Sequence, residues 1–202
     1  MLVCDIETSG LDPDSNWITC IGVMDDTGIY QFSSSAEEFS KDPLEAEKKL
    51  LAKFLSALTV FEEWGPLVTY NGKSFDIPFI YKRLFKAKLI DQLPDYAELS
   101  SSNNNPLKIR HIDLMEFTRK LEGRRISKDE SANKHCNLYV PRNSPGYFLA
   151  RIYGTKKVTP DLHAQMLQHN ALDLCTTFRM YETFKTFDDF KEFLKGNKTE
   201  GG

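Results

Sequence analysis

Met1-Leu2-Val3-Cys4-Asp5-Ile6-Glu7-Thr8-Ser9-Gly10 is the stretch that decides the fold. It begins apolar, then alternates and closes on a glycine, the pattern of a strand carrying Asp5 and Glu7 on one face. Side chains at i and i+2 stand roughly 6.6 Å apart along a strand that rises ~3.3 Å per residue, a separation that suits divalent cations bound side by side. Two like charges so placed without a cation cost stability and raise at least one pKa. The pair therefore points to a hard metal such as Mg²⁺.

Two further acidic motifs follow. In Val68-Thr69-Tyr70-Asn71-Gly72-Lys73-Ser74-Phe75-Asp76-Ile77-Pro78-Phe79, the residues from Leu67 to Tyr70 read as a short buried strand that Asn71-Gly72 breaks. Pro78, near the start of an apolar-periodic segment, opens a helix with Asp76 at its mouth. An Asp there commonly does no more than cap the helix, which is the rival reading of Asp76. Further on, Leu167, Ala171, Leu174, Phe178 and Tyr181 recur at steps of four and three, the buried stripe of a long helix. His169 and Asp173 are four apart on one face beside that stripe and look into a groove; the rival reading is a solvent-facing pair.

With these motifs the chain resembles the DEDD family of 3′→5′ exonucleases, whose fold is ribonuclease H-like. The shared residues are Asp5-x-Glu7, then Asn71-x-x-x-Phe75-Asp76, then Asp173 on the last helix. The wording from Tyr70 to Phe79, and His169-Asn170-x-x-Asp173, is most similar to the uncharacterised prokaryotic ribonuclease H-like domains related to the proofreading domain of B-family DNA polymerases. The resemblance runs from Cys4 to about Tyr181. It implies that Asp5, Glu7, Asp76 and Asp173 hold two Mg²⁺ or Mn²⁺ ions. His169 stands where polymerase proofreaders carry a tyrosine, and a neutral imidazole there would orient the attacking water or take its proton. Thr8, Ser9 and Gly10 would meet the terminal nucleotide through backbone groups. Asn71 and Phe75 would hold its sugar and base, Phe75 by stacking, with core packing an equal alternative for its ring.

The activity so implied is hydrolysis at the 3′ ends of single-stranded DNA or RNA, releasing nucleoside monophosphates. Two readings compete with it. One is a ribonuclease H-like endonuclease on structured or hybrid nucleic acid; the other is a catalytically silent nucleic-acid-binding module. Carboxylates at all three motifs speak against the silent module, which gains nothing from keeping a costly cluster.

At 202 residues and 41% hydrophobic, the chain is sized for one well-buried domain, expected over residues 1–195 with a frayed tail over 196–202. The net charge of −3 lacks the basic signature of most nucleic-acid binders. A metal-carboxylate nuclease escapes that rule, since its site is acidic until cations fill it. Cys4, Cys20, Cys136 and Cys175 have no zinc or redox spacing and read as small hydrophobes in a reducing cytoplasm. No leader precedes Asp5, and no apolar run reaches the ~20 residues that span a bilayer, so a cytoplasmic protein without a membrane partner is expected.

The expected class is α/β, a ribonuclease H-like mixed sheet of three antiparallel strands followed by β/α alternation and flanked by helices. Trp17 to Met24 and Ile29 to Phe32 complete a meander with the first strand, joined by a turn at Asp25-Asp26-Thr27-Gly28. Asp42-Pro43 starts an amphipathic helix with Leu44, Leu51, Leu55 and Leu58 on one face. A second helix from Ile77 to about Lys88 and a fifth strand from Ile109 to Leu114 follow. Ser100 to Pro106 is polar and low in complexity, and reads as a loop. Gly123 to Pro160 has weak periodicity, with short helices at 127–136 and 145–153, and is where contacts to a substrate strand are expected.

Overall fold

The computed structural model describes residues 1–61, 65–93, 110–139, 146–155 and 157–196. The loop expected at 100–106 and residues 197–202 of the expected tail lie outside the described residues. Five strands, β1 (Leu2–Thr8), β2 (Ile18–Met24), β3 (Ile29–Ser33), β4 (Leu67–Thr69) and β5 (His111–Asp113), form one sheet in the order β3-β2-β1-β4-β5. β1, β2 and β3 pair antiparallel, whereas β4 pairs parallel to β1 and β5 parallel to β4. This is the expected mixed sheet, with β1 at its centre.

The helices are α1 (Ala36–Lys41), α2 (Pro43–Phe61), α3 (Asp76–Lys86), α4 (Leu114–Glu122), α5 (Lys128–Cys136), α6 (Gly146–Gly154), α7 (Pro160–Phe184) and α8 (Asp188–Gly196). Alternation along β1 divides the core in two. Leu2, Cys4 and Ile6 pack with Leu51, Leu55 and Leu58 of α2 and Ile77, Ile80 and Leu84 of α3. Val3, Val68 and Ile112 pack on the opposite side with Phe117 of α4, Leu174 and Phe184 of α7, and Phe190 of α8. Asp5 and Glu7 share the parity of Val3 and so belong to the α7 side of the sheet.

Several boundaries differ from expectation for local reasons. Asp42 caps α2 as expected, its Oδ1 accepting from the N–H of Leu44 and Glu45, but Leu44 is 60% exposed. The buried face of α2 includes Glu47 instead, whose carboxylate accepts from the backbone N–H of Ile18 at 2.7 Å and from Arg83 Nε and Nη2 at 2.8 and 2.6 Å. α1 was not expected from the sequence. It is made by a capping box at Ser35 and Glu38, which ends the polar run after β3. The fifth strand stops at Asp113 because that carboxylate accepts from Met115 N–H and turns the chain into α4. Cys4 and Cys20 are buried, whereas Cys136 and Cys175 are half-buried.

The deep line of α7 is also rotated from the apolar stripe. It runs through Met166, Asn170, Leu174, Thr177, Tyr181 and Phe184, with Leu167, Ala171 and Phe178 at its flanks. Asn170 is fully buried. Its place is opened by Gly22, which faces Asp5 across the β1–β2 ladder. A Cβ at Gly22 would stand 2.0 Å from Asn170 Oδ1 and 2.8 Å from Leu174 Cδ1, so only glycine lets α7 lie this close to the sheet. No helix among the described residues is long and apolar enough to cross a membrane.

Candidate functional site

All three acidic motifs meet at the end of β1, against α7. Asp5 is held by Asn170, whose Nδ2 donates to Asp5 O and to Asp5 Oδ2, each at 3.2 Å. The other end of that amide is fixed by Gln31, whose Nε2 donates to Asn170 Oδ1 at 3.0 Å. Asp76 is the first residue of α3, and the residue at the cap position is Phe75, which makes no side-chain cap bond. The Asp76 carboxylate turns to the sheet, where Oδ1 accepts from the backbone N–H of Ile6 at 3.1 Å. That bond places it beside Asp5 and disposes of the reading in which it merely caps its helix. On the outer side, Glu7, His169 and Asp173 each offer a ligand atom within 4.8 Å of the other two. The His169 ring lies against α6, where a Cβ at Gly146 would stand 2.9 Å from Nε2.

A cation from outside the three acidic motifs completes the cluster. Lys128 Nζ lies 2.6 Å from Asp5 Oδ1 and 3.1 Å from Asp173 Oδ2, and its side chain is 12% exposed. Its position follows from Tyr70, whose hydroxyl donates to the carbonyls of Ile126 at 3.0 Å and Ser127 at 3.2 Å. Ser127 then caps α5 through Glu130 N–H, so Lys128 enters the site as the first residue of that helix. Burial alone would push the Lys128 ammonium down, yet the charges of Asp173, Asp5 and Asp76 hold it above its ordinary value. Burial, reinforced by the neighbouring charge of Asp5, pushes the Asp76 carboxyl well above the usual carboxylate range. Both shifts have the same origin, four acids gathered where water screens them poorly.

The expected substrate residues are placed as follows. Thr8 and Ser9 are buried at the turn after β1. Thr8 Oγ1 donates to Gly10 O at 2.7 Å, and Ser9 Oγ accepts from Trp17 N–H at 3.0 Å, so both hydroxyls serve the turn itself. Leu11 follows at 83% exposure, a bare apolar side chain on the same loop. Asn71 takes a left-handed backbone (φ 73°) at the end of β4, and its Oδ1 accepts from Arg125 Nη2 at 2.8 Å. Phe75 is half-buried, its ring 5.5 Å from that of Phe79 at an angle of 57°. Phe75 directly precedes Asp76, and the Arg125 that Asn71 meets lies three residues before Lys128.

Asn170 and Lys128 are the two members of the cluster that reasoning from sequence passed over. Asn170 is adjacent to His169 in a motif already singled out, and its polarity on a line of apolar neighbours was the available signal. Lys128 had only weak signals, a Ser-capped helix start in a segment of poor periodicity.

The donor set fits a divalent cation. Oxygen ligands from four carboxylates with one imidazole are the chemistry of Mg²⁺ or Mn²⁺ sites, and the Lys128 ammonium pairs with two of these carboxylates, Asp5 and Asp173, as a monovalent stand-in. Asp5, Glu7, Asp76 and Asp173 would hold such ions, with His169 beside them.

Comparison with known proteins agrees with this geometry. The RNase_H_2 family model, described as RNase_H superfamily, matches residues 2–185. The uncharacterized protein YprB of Bacillus subtilis (strain 168) is 26% identical over 182 residues, covering 88% of this chain and 40% of that protein. DNA polymerase 1 of Sulfolobus acidocaldarius is 37% identical over 75 residues, covering 36% of this chain and 8% of the polymerase. Among solved structures, the family B DNA polymerase of the archaeon Pyrobaculum calidifontis superposes with a TM-score of 0.68 at 17% identity, over 91% of this chain and 24% of that one. The chain therefore spans less than half the length of each of these relatives.

Proposed function

The chain belongs to the RNase_H superfamily, and from that premise we propose that it is a metal-dependent 3′→5′ exonuclease acting on single-stranded nucleic acid. One observation carries the reading. Four carboxylates from β1, α3 and α7, far apart in sequence, converge with His169 around a single ammonium group. Structural acids are normally dispersed or individually paired; a cluster that leaves Asp76 burdened by Asp5 is costly unless it holds cations. Membership of the RNase_H superfamily and similarity to the Sulfolobus DNA polymerase over 75 residues support a nucleic-acid substrate.

Two divalent ions held there would polarise a phosphodiester and lower the pKa of a water molecule. The chain's own groups do the rest. Asp5, fixed by Asn170, and Asp76, fixed by the Ile6 N–H, are preorganised and need not reorient on binding. Glu7 and Asp173 flank His169, and the neutral imidazole takes a proton from the attacking water or orients it. Leu11, exposed on the loop that follows β1, would offer an apolar contact to a terminal base.

The test uses 5′-labelled single-stranded DNA and RNA with Mg²⁺, with Mn²⁺ and with chelator. A ladder of products shortened from the 3′ end, lost with chelator and in Asp5→Asn, is the expected result. Internal fragments would instead mark an endonuclease, and no metal-dependent products would refute the reading.

A further inference from the structure

Near the carboxylates in the chain lies a second, polar pocket of about 90 Å³, room for several water molecules. Asn71, Ser74, Arg119 and Arg125 line it, over a floor of Asp113 and Glu116. Most acceptors of the floor are already taken. Asp113 accepts from the backbone N–H of Asn71 at 2.7 Å, Lys73 at 3.0 Å and Met115 at 3.0 Å, and Glu116 Oε2 pairs with Lys73 Nζ at 2.7 Å. The donors of the walls are not. Among the described residues the Arg119 guanidinium, the Ser74 hydroxyl and the Asn71 amide nitrogen have no hydrogen-bond acceptor, while Asn71 Oδ1 is taken by Arg125. What the walls offer a ligand is thus mostly donors, and among the described residues Arg119 makes no ion pair.

We propose that this pocket binds a backbone phosphate of the nucleic-acid strand whose 3′ end reaches the carboxylate site. An anion rich in acceptors matches a wall of donors, and planar guanidinium groups suit phosphate oxygens in particular. The pocket is also within short chain reach of the site. Ser74 precedes Asp76 by two residues and Arg125 precedes Lys128 by three, so chain reach keeps each pair within roughly 7 to 11 Å. Both sides are rigid, one tied to α4 by Asp113 and the other held by the Tyr70 hydroxyl. The strand would then run from the carboxylates across the α3 entrance toward the C-terminal end of α4. The net charge of −3 does not oppose this, since the charge that matters is local.

The inference rests on the exonuclease reading for its direction, and its test is separate from cleavage. Affinity for a 5′-fluorescein-labelled eight-nucleotide oligothymidylate is read by anisotropy at several salt concentrations, in an Asp5→Asn background that does not consume the strand. Arg119→Ala is expected to weaken binding about tenfold and make the log–log salt slope shallower by about 0.7, the contribution of one phosphate contact on a single strand. Arg119→Lys keeps the slope, and Ser74→Asp, which places an anion among the donors, weakens binding at least as much. Unchanged affinity and slope in Arg119→Ala, or an absence of measurable binding before mutation, overturns the proposal. Arg119-dependent binding by a protein that releases no mononucleotides would leave the pocket standing and remove the exonuclease reading.

Discussion

Replacing Lys128 by methionine keeps an unbranched side chain one atom shorter and removes its ammonium charge, which makes it the most direct probe of the cluster. With Nζ at 2.6 Å from Asp5 and 3.1 Å from Asp173, and with 12% of the side chain exposed, solvent screens this interaction little. Removing one partner of a buried pair costs about 3–5 kcal/mol. Proton uptake by Asp76, already favoured by its burial and by Asp5, relieves part of that, so a loss of about 3 kcal/mol is expected in chelator near neutral pH. For a chain of this size that lowers Tm by roughly 6–12 °C. Metal affinity should move the other way. A divalent ion entering the wild-type site competes with the ammonium for the same oxygens, so Mg²⁺ should bind Lys128→Met about tenfold tighter, a difference of ~1.4 kcal/mol. Urea unfolding with and without chelator reads the first quantity and titration calorimetry the second. A Lys128→Met protein as stable as wild type in chelator, with unaltered Mg²⁺ affinity, would refute the reasoning, because the ammonium would then not be neutralising the acids.

Three further outcomes are expected. His169→Ala should lower single-turnover cleavage about a hundredfold, as for other general acid–base groups, with metal affinity little changed; a wild-type rate would reduce the ring to a spectator. Gly22→Ala should cost about 1–3 kcal/mol by driving a methyl group into Asn170 and Leu174, and should lower activity as Asn170 is pushed off Asp5. Stability and rate both at wild-type values would show that α7 has room to shift. Burial, with the charge of Lys73 adding, holds the His111 imidazole down at about 3, against ~6.5 when unfolded. The folded state stays neutral while the unfolded chain takes up a proton. Stability is therefore whole above pH 6.5 and falls by up to ~1.4 kcal/mol per unit as pH drops toward 3. Urea midpoints of His111→Gln between pH 7 and 4 should fall less steeply, and an equal slope would place the acid sensitivity elsewhere.

What could be read from the sequence follows the range of the forces involved. Alternation in Val3, Asp5 and Glu7 and the turn chemistry at Asp25-Asp26-Thr27-Gly28 are local, and they foretold β1, the meander and the mixed sheet. The four acids could be named because each lies in a short motif that carries the family resemblance. Leu44 misled because apolarity was counted without asking what Glu47 could find; a carboxylate is admitted to the core of α2 only because Arg83 and the Ile18 N–H arrive from α3 and β2. Asn170 and Lys128 were hidden for the same reason. The buried amide becomes intelligible once Gly22 brings α7 onto β1, and the lysine once Tyr70 draws the start of α5 to the end of β4. In each case the meaning of a polar residue is set by a partner between 29 and 165 positions away. A carboxylate cluster must recruit such partners from wherever the fold brings them, because desolvation charges every member at once and no neighbour along its own strand or helix can neutralise them all.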